Sequence, residues 1–278
     1  MLNDRIRDFY DASTGIWLDT WGEHMHHGHY GEDGTTDKAN EAAQIDLIEE
    51  LLAFGEVDHA SRILDSGCGV GGSSRYLAQK FDAEALGFTL SPVQAAAAAA
   101  YNATAGLADR VTIRAQDVYT LDPSTPPFDL VWSLESAEHM ADKQALFDLF
   151  YRHLAPGGRL LMITWCIRET PPALMGQDHR LLQQIYDYYH LPPMVPISAL
   201  QRMATNAGFE GVRTADWSDA VAPFWGKVIQ SAMSWKSIRG LLKAGPGTLR
   251  GAWAMRYMQS GYRRGLIRFG VLAATKPA

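Results

Sequence analysis

One octapeptide constrains this chain more than any other feature: Asp65-Ser66-Gly67-Cys68-Gly69-Val70-Gly71-Gly72. It closes a short apolar run, SRILDSG (61–67), and opens into GSSRYLAQKF (72–81), whose apolar residues recur at helical spacing. Glycines at a strand-to-helix junction let the backbone approach a ligand closely. The helix that follows offers unbonded N–H groups at its positive end. A fold built on such a junction has its strand ends and helix starts on one edge, as open α/β sheets do.

The next hundred residues agree with that demand. EALGFTL (84–90), VTIRAQDV (111–118), FDLVWSLES (128–136) and GRLLMITWC (158–166) read as further strands. Between them lie helical stretches: SPVQAAAAAAYNATAG (91–106), entered through Ser-Pro, and DKQALFDLFYRHLAPGG (142–158), stopped by Pro156-Gly157-Gly158. Alanine is the best helix former, so the six-alanine run reads as a plain surface helix. Two more strands, GFEGVRTADW (208–217) and GLIRFGVLAATKP (265–277), flank a long helical, aromatic and basic insert. No internal repeat and no Pro/Gly/Ser linker divides the chain. The expectation is one domain over 1–278, with a core at about 36–166 plus the two late strands, and lids at 1–35, 167–207 and 220–262.

Composition excludes several classes. With 47% hydrophobic and 20% charged residues, the 278-residue chain is not largely disordered. No eighteen-residue apolar stretch spans a membrane, and MLNDRIRDFY carries no secretory h-region. Cys68 and Cys166 read as reduced thiols of a cytoplasmic protein. The net charge of −6 argues against nucleic acid as the main partner. It conceals a split: all 31 acidic residues lie in 1–219, which carries −16, while ten basic residues give the remainder +10.

The letters Gly67, Gly69 and Gly72 satisfy the dinucleotide fingerprint G-x-G-x-x-G. A nicotinamide enzyme also needs an acid about 20 residues further on, and Thr89 stands there instead. D-x-G-C-G-x-G, the acid in QDV after the third strand, and L-x-P-G-G-x-L before the fifth occur together and in order. In combination they resemble the class I S-adenosylmethionine-dependent methyltransferases. The resemblance implies an α/β Rossmann-like sheet ending in an antiparallel hairpin, with helical lid insertions. It implies that Gly67, Gly69 and Gly71 approach the methionine part of the cofactor, that Asp117 accepts from the adenine amino group, and that Val118 packs on the ring. The stretch T-L-S-x-x-Q resembles a subgroup that includes cyclopropane-synthase-like and tocopherol-type enzymes. Thr89, Leu90 and Gln94 match it, with Gln94 as ribose partner. Asp65 and Ser133 complete the implied cofactor set.

The flanks carry the resemblance further. FYDASTGIWLDTWGEHMHHGHY (9–30), ESAEHM (135–140), TWC (164–166) and the terminal stretch 216–277 are similar to γ-tocopherol methyltransferases. The plant members carry a plastid-targeting extension that this sequence lacks, so it resembles a bacterial or mature form. The family implies methyl transfer to the carbon ortho to a phenolic hydroxyl, converting γ- to α-tocopherol and δ- to β-tocopherol in vitamin E biosynthesis. A neutral phenol ring is a weak carbon nucleophile, so this chemistry needs a positioned group to remove or share the phenolic proton. His139, after the fourth strand, is the first candidate, with Glu135 and Glu138 to orient it or act through water.

Other readings stand beside these. Alkaloid N-methyltransferases share the scaffold and would act on a small amine or indole alkaloid without a phenol base. A lipid-surface binding protein with a vestigial cofactor site is the alternative outside enzymes. Glu135, Glu138 and His139 also resemble the E-x-x-E-H of ubiquinone-pathway O-methyltransferases, but the expectation here is no metal. His24, His26, His27 and His29 lack the spacing of well-attested zinc sites. Their segment is expected to close over the cofactor, with Tyr10 and Tyr30 at the methionine end and Trp17 and Trp21 in lid or core. In the tail, Phe224, Trp225, Trp235, Leu241, Leu242, Trp253, Met255, Tyr257 and Met258 alternate with cations. Two readings stand open: a deformable wall for a prenyl chain with a basic 223–268 face against anionic lipid, or a solvated basic face over an aromatic core. Oligomeric state is not legible.

Overall fold

The computed structural model describes residues 1–232 and 246–278, with side chains for all of these but Thr20, 228–232 and 246–254. Seven strands form one sheet in the order β3-β2-β1-β4-β5-β7-β6. They are β1 (Arg62–Ser66), β2 (Glu84–Thr89), β3 (Val111–Ala115), β4 (Phe128–Leu134), β5 (Leu154–Ile167), β6 (Glu210–Asp216) and β7 (Ile267–Thr275). β1 to β5 run parallel, while β7 lies antiparallel between β5 and β6. This is a parallel α/β sheet closed by an antiparallel terminal hairpin, the arrangement that the resemblance implies.

Strand side chains alternate between two faces, and the apolar runs fill both. Ile63, Leu130, Trp132, Leu161, Ile163 and Val271 join one core. Leu64, Val131, Leu160, Met162 and Leu272 join the other. Four helices lie over these faces: α2 (Asn40–Gly55), α3 (Gly72–Phe81), α4 (Pro92–Thr104) and α5 (Lys143–His153). Leu47, Ile48 and Leu51 of α2 pack on the first face, and Phe147 and Phe150 of α5 on the second. Ser91 caps α4 by accepting from the Gln94 backbone N–H, ahead of Pro92 at the first helical position.

One boundary differs from the pattern. The helix expected to reach Gly158 ends at His153, and β5 begins at once with Leu154 opposite Phe128. The register then jumps to Leu130 opposite Arg159, so Pro156-Gly157-Gly158 form an irregularity inside the strand rather than a helix stop. Gly157 at φ 76° takes the left-handed turn that this requires.

The flanking segments are helical: α1 (Leu2–Trp21), then α6 (Gly176–Tyr189) and α7 (Ile197–Ala207), then α8 (Ser218–Val221), α9 (Pro223–Ala232) and α10 (Pro246–Arg263). Several tail cations meet the acidic body. Lys227 pairs with Asp37 at 2.9 Å, Arg264 with Asp178 at 2.5 Å and Arg268 with Asp216 at 3.4 Å. Part of the charge split is therefore internal complementarity. Phe224, Trp225, Met255 and Met258 are buried in the core. Trp235, Leu241, Leu242, Lys236, Arg239 and Lys243 lie outside the described residues, as does the side chain of Trp253. Among the described residues no helix is long and apolar enough to cross a membrane.

Candidate active site

The glycine turn sits at the carboxyl end of β1, where the left-handed φ values of Gly67 (81°), Gly69 (55°) and Gly71 (77°) turn the chain into α3. At Gly67 a Cβ would come within 2.2 Å of the Ser136 Cβ, so no other residue fits there. Asp65, buried at the strand end, accepts from the Ser74 hydroxyl at 2.6 Å, and burial pushes its carboxyl up to about 7.

A cavity opens over this turn. Of the expected site residues, Tyr10, Asp65, Gly67, Gly69, Thr89, Leu90, Gln94, Glu135 and His139 line it. The Thr89 hydroxyl donates to Gln94 Oε1 at 2.6 Å, which holds the amide at the end of β2. Gly71, Asp117, Val118, Ser133 and Glu138 are not among the lining residues. Ser133 lies buried 3.1 Å from the Ser136 hydroxyl. Asp117 accepts from the Tyr119 N–H through Oδ1 and from the Asn3 amide of α1 through Oδ2 at 2.7 Å. Tyr30 is also outside the cavity wall, fully buried, with its hydroxyl donating to Asn40 at 3.1 Å and its ring under the Lys227 ammonium. Sequence alone places it next to the histidine run, whereas the segment packs on α2, with the His29 N–H donating to the Ala43 carbonyl at 2.7 Å, and seats Tyr30 in the core.

The acid–base groups after β4 divide by environment. Glu135 stands in the left-handed region at φ 49°. Its Oε1 accepts from the His27 backbone N–H at 2.6 Å, and its Oε2 meets His27 Nδ1 at 2.6 Å and accepts from Trp165 Nε1 at 3.2 Å. Burial pushes this carboxyl up, but the His27 charge and hydrogen bonds outweigh that and leave it below the usual carboxylate range. Glu138 is pushed up to about 8 by burial and by the Glu135 charge, and accepts from the Thr164 hydroxyl at 2.7 Å. His139 Nε2 lies 2.9 Å from the Tyr10 hydroxyl, while its Nδ1 is buried without a partner among the described residues. Burial, with Lys143 and His190 nearby, pushes the imidazole down to about 3, so it is neutral.

The N-terminal segment closes the other side. Arg75 of α3 holds Glu23 at 2.6 Å, and Gln44 donates to the carbonyls of His24 and His26. Met25 and His26 line the cavity, as do Cys68 and Ser136. Sequence reasoning singles out none of the four as a site residue. The segment carrying Met25 and His26 is expected to close over the cofactor, but nothing local to the histidine run shows which of its residues face the cavity. Among the described residues no group of three or more His, Cys, Asp or Glu side chains is placed to hold a metal ion.

Comparison with known proteins fits this geometry. The mycolic acid cyclopropane synthetase family model matches residues 3–222. A probable chloroplastic tocopherol O-methyltransferase of Oryza sativa subsp. japonica is 44% identical over 285 residues, covering 99% of this chain and 79% of that protein. The chloroplastic tocopherol O-methyltransferase of Arabidopsis thaliana is 39% identical, over 99% and 83%. The chain belongs to the tocopherol methyltransferase family. It is an enzyme that uses S-adenosylmethionine. The solved structure of mycolic acid cyclopropane synthase CmaA1 with SAH and CTAB superposes with a TM-score of 0.86, over 99% of this chain and 98% of that one. At 21% identity that likeness speaks for the fold.

The residues of this methyltransferase fit its cofactor. The left-handed glycine turn leaves a cradle that side chains would fill, and the Asp117 carboxylate already accepts from an amide NH2, the type of donor an adenine amino group presents.

Proposed function

We propose that the enzyme methylates a prenylated phenol on the ring carbon ortho to its hydroxyl, taking γ-tocopherol to α-tocopherol and δ- to β-tocopherol. One observation carries this reading: a neutral histidine and an ionised carboxylate share a cavity with the cofactor turn. The 44% relative named for tocopherol supports the substrate class. When bound, S-adenosylmethionine supplies a methyl group activated on a sulfonium.

In this reading Gly67, Gly69 and Gly71 hold the methionine part, with Asp65 fixing the turn from below. Gln94 takes the ribose and Asp117 the adenine amino group, Asn3 yielding its place. The Glu135 charge draws a cationic centre toward the cavity wall. His139, neutral and with Nδ1 unpartnered, takes the phenolic hydroxyl in a hydrogen bond and shares its proton, which raises electron density at the ortho carbon. Tyr10 fixes the imidazole through Nε2, and Glu138 sits behind as a carboxyl that keeps its proton near neutrality. Residues 1–35 act as a lid that excludes water. The same reading keeps the enzyme in a reducing aqueous compartment, with the 223–268 region touching anionic lipid where such substrates dissolve.

The test incubates the enzyme with methyl-labelled S-adenosylmethionine and detergent-dispersed γ-tocopherol, with mass spectrometry of the product. Label on the ring carbon of α-tocopherol is expected, and His139→Ala lowers kcat by about 100-fold or more. Label on oxygen, or no transfer while S-adenosylhomocysteine still binds, sinks the assignment. Transfer to an amine, undiminished in His139→Ala, establishes N-methylation instead.

A further inference from the structure

His26 has no part in the function argued so far, yet its position is unusually determined. Gln44 of α2 fixes its backbone carbonyl at 3.0 Å. Its Nδ1 lies 2.8 Å from the His27 carbonyl oxygen. A carbonyl only accepts, so Nδ1 carries the proton and the lone pair of the neutral ring is on Nε2. That Nε2 is buried and has no hydrogen-bond partner among the described residues. The residue is 7% exposed and lines the same cavity as Gly67, Gly69 and Glu135. A buried acceptor without a donor costs stability unless a ligand supplies one.

We propose that His26 Nε2 accepts a hydrogen bond from the α-ammonium group of the cofactor's methionine part, making His26 a binding residue of this enzyme. The inference rests on the cofactor reading above. The chemistry at this end of the cavity selects an N–H cation. The ring nitrogen offers a lone pair, and the Glu135 carboxylate on the same wall adds a negative charge. Burial and the neighbouring His24 push the imidazole down to about 4, so at neutral pH it does not present a second N–H to a carboxylate. The proposal also gives the covering segment a reason to close, because the residue that reaches the cofactor belongs to the segment and not to the sheet.

The experiment measures binding by calorimetry, in the absence of any acceptor. Three ligands are compared: S-adenosylhomocysteine, an analogue with hydrogen in place of the α-amino group, and an analogue lacking the α-carboxylate. The variant is His26→Asn, whose side-chain amide still donates to the His27 carbonyl while the Nε2 acceptor is gone. Wild type is expected to prefer S-adenosylhomocysteine to the desamino analogue by about 10-fold or more, the value of a hydrogen bond to a charged group. In His26→Asn that preference collapses to about twofold, while discrimination against the decarboxylated analogue is kept. His26→Gln, which can place an amide oxygen near the Nε2 position, restores part of it. The proposal is overturned if His26→Asn weakens all three ligands equally, if it erases the carboxylate preference instead, or if nothing changes. Failure of wild type to bind S-adenosylhomocysteine at all would overturn the cofactor reading beneath it, which separates the two failures.

Discussion

Glu135 fastens the segment around His27 to the end of β4, and removing its carboxylate has a calculable consequence. Glu135→Ala strips the acceptor from three donors: the His27 N–H, His27 Nδ1 and Trp165 Nε1. His27 is 1% and Trp165 8% exposed, so water does not readily replace the lost oxygens. Stranding buried donors costs about 1–3 kcal/mol each, so the three together come to about 3–5 kcal/mol after partial relaxation. Gln44 and Arg75 still hold the segment, so the loss falls on local opening of residues 22–30 rather than on the whole sheet. At 1.36 kcal/mol per factor of ten, amide exchange in that segment should speed up by about 10²- to 10⁴-fold. Mass-resolved hydrogen exchange reads this directly, with β4 and β5 amides as the internal reference. In wild type, acid should imitate the substitution. The Glu135 carboxyl is depressed in the folded state, so its contribution is present above about 4.5 and is lost as pH falls through the lower folded value. Unchanged exchange in 22–30, or an equal rise in the central strands, would refute the clasp.

Three further outcomes are expected. Gly67→Ala combines a left-handed φ of 81° with a 2.2 Å approach to Ser136, so S-adenosylhomocysteine binding should vanish while the circular dichroism stays native-like; affinity within about twofold of wild type would contradict the cradle. Gly28→Ala brings a Cβ to 2.5 Å from the Ala43 Cβ and should cost about 1–3 kcal/mol in urea unfolding, with Ala43→Gly recovering part of the loss. No recovery would mean that the contact is not the cause. Glu138→Gln should stabilise the protein increasingly as pH rises. The folded carboxyl is raised from 4.5 to about 8, so wild type loses stability across that window and the amide does not. Melting temperatures at pH 5 and pH 9 compare the two, and an equal shift at both would count against the buried, protonated acid.

What the sequence determined by itself was local. The glycine turn, the helix at 72–81 and the alternation of strands with helices are demands that each residue makes on its near neighbours, through backbone conformation and side-chain period. Hence the sheet and the cofactor edge were legible, down to Thr89 and Gln94 facing each other across five residues. The tertiary structure alone decided which distant groups meet. His27 reaches Glu135 across 108 residues, Tyr10 reaches His139 across 129, and Asn3 reaches Asp117 across 114. None of these pairings has a sequence period, because each follows from how α1 and the segment after it pack on the finished sheet. The same packing took Tyr30 into the core and turned His26 toward the cavity. It also matched Lys227, Arg264 and Arg268 with acids of the body, which composition could register only as a split in charge.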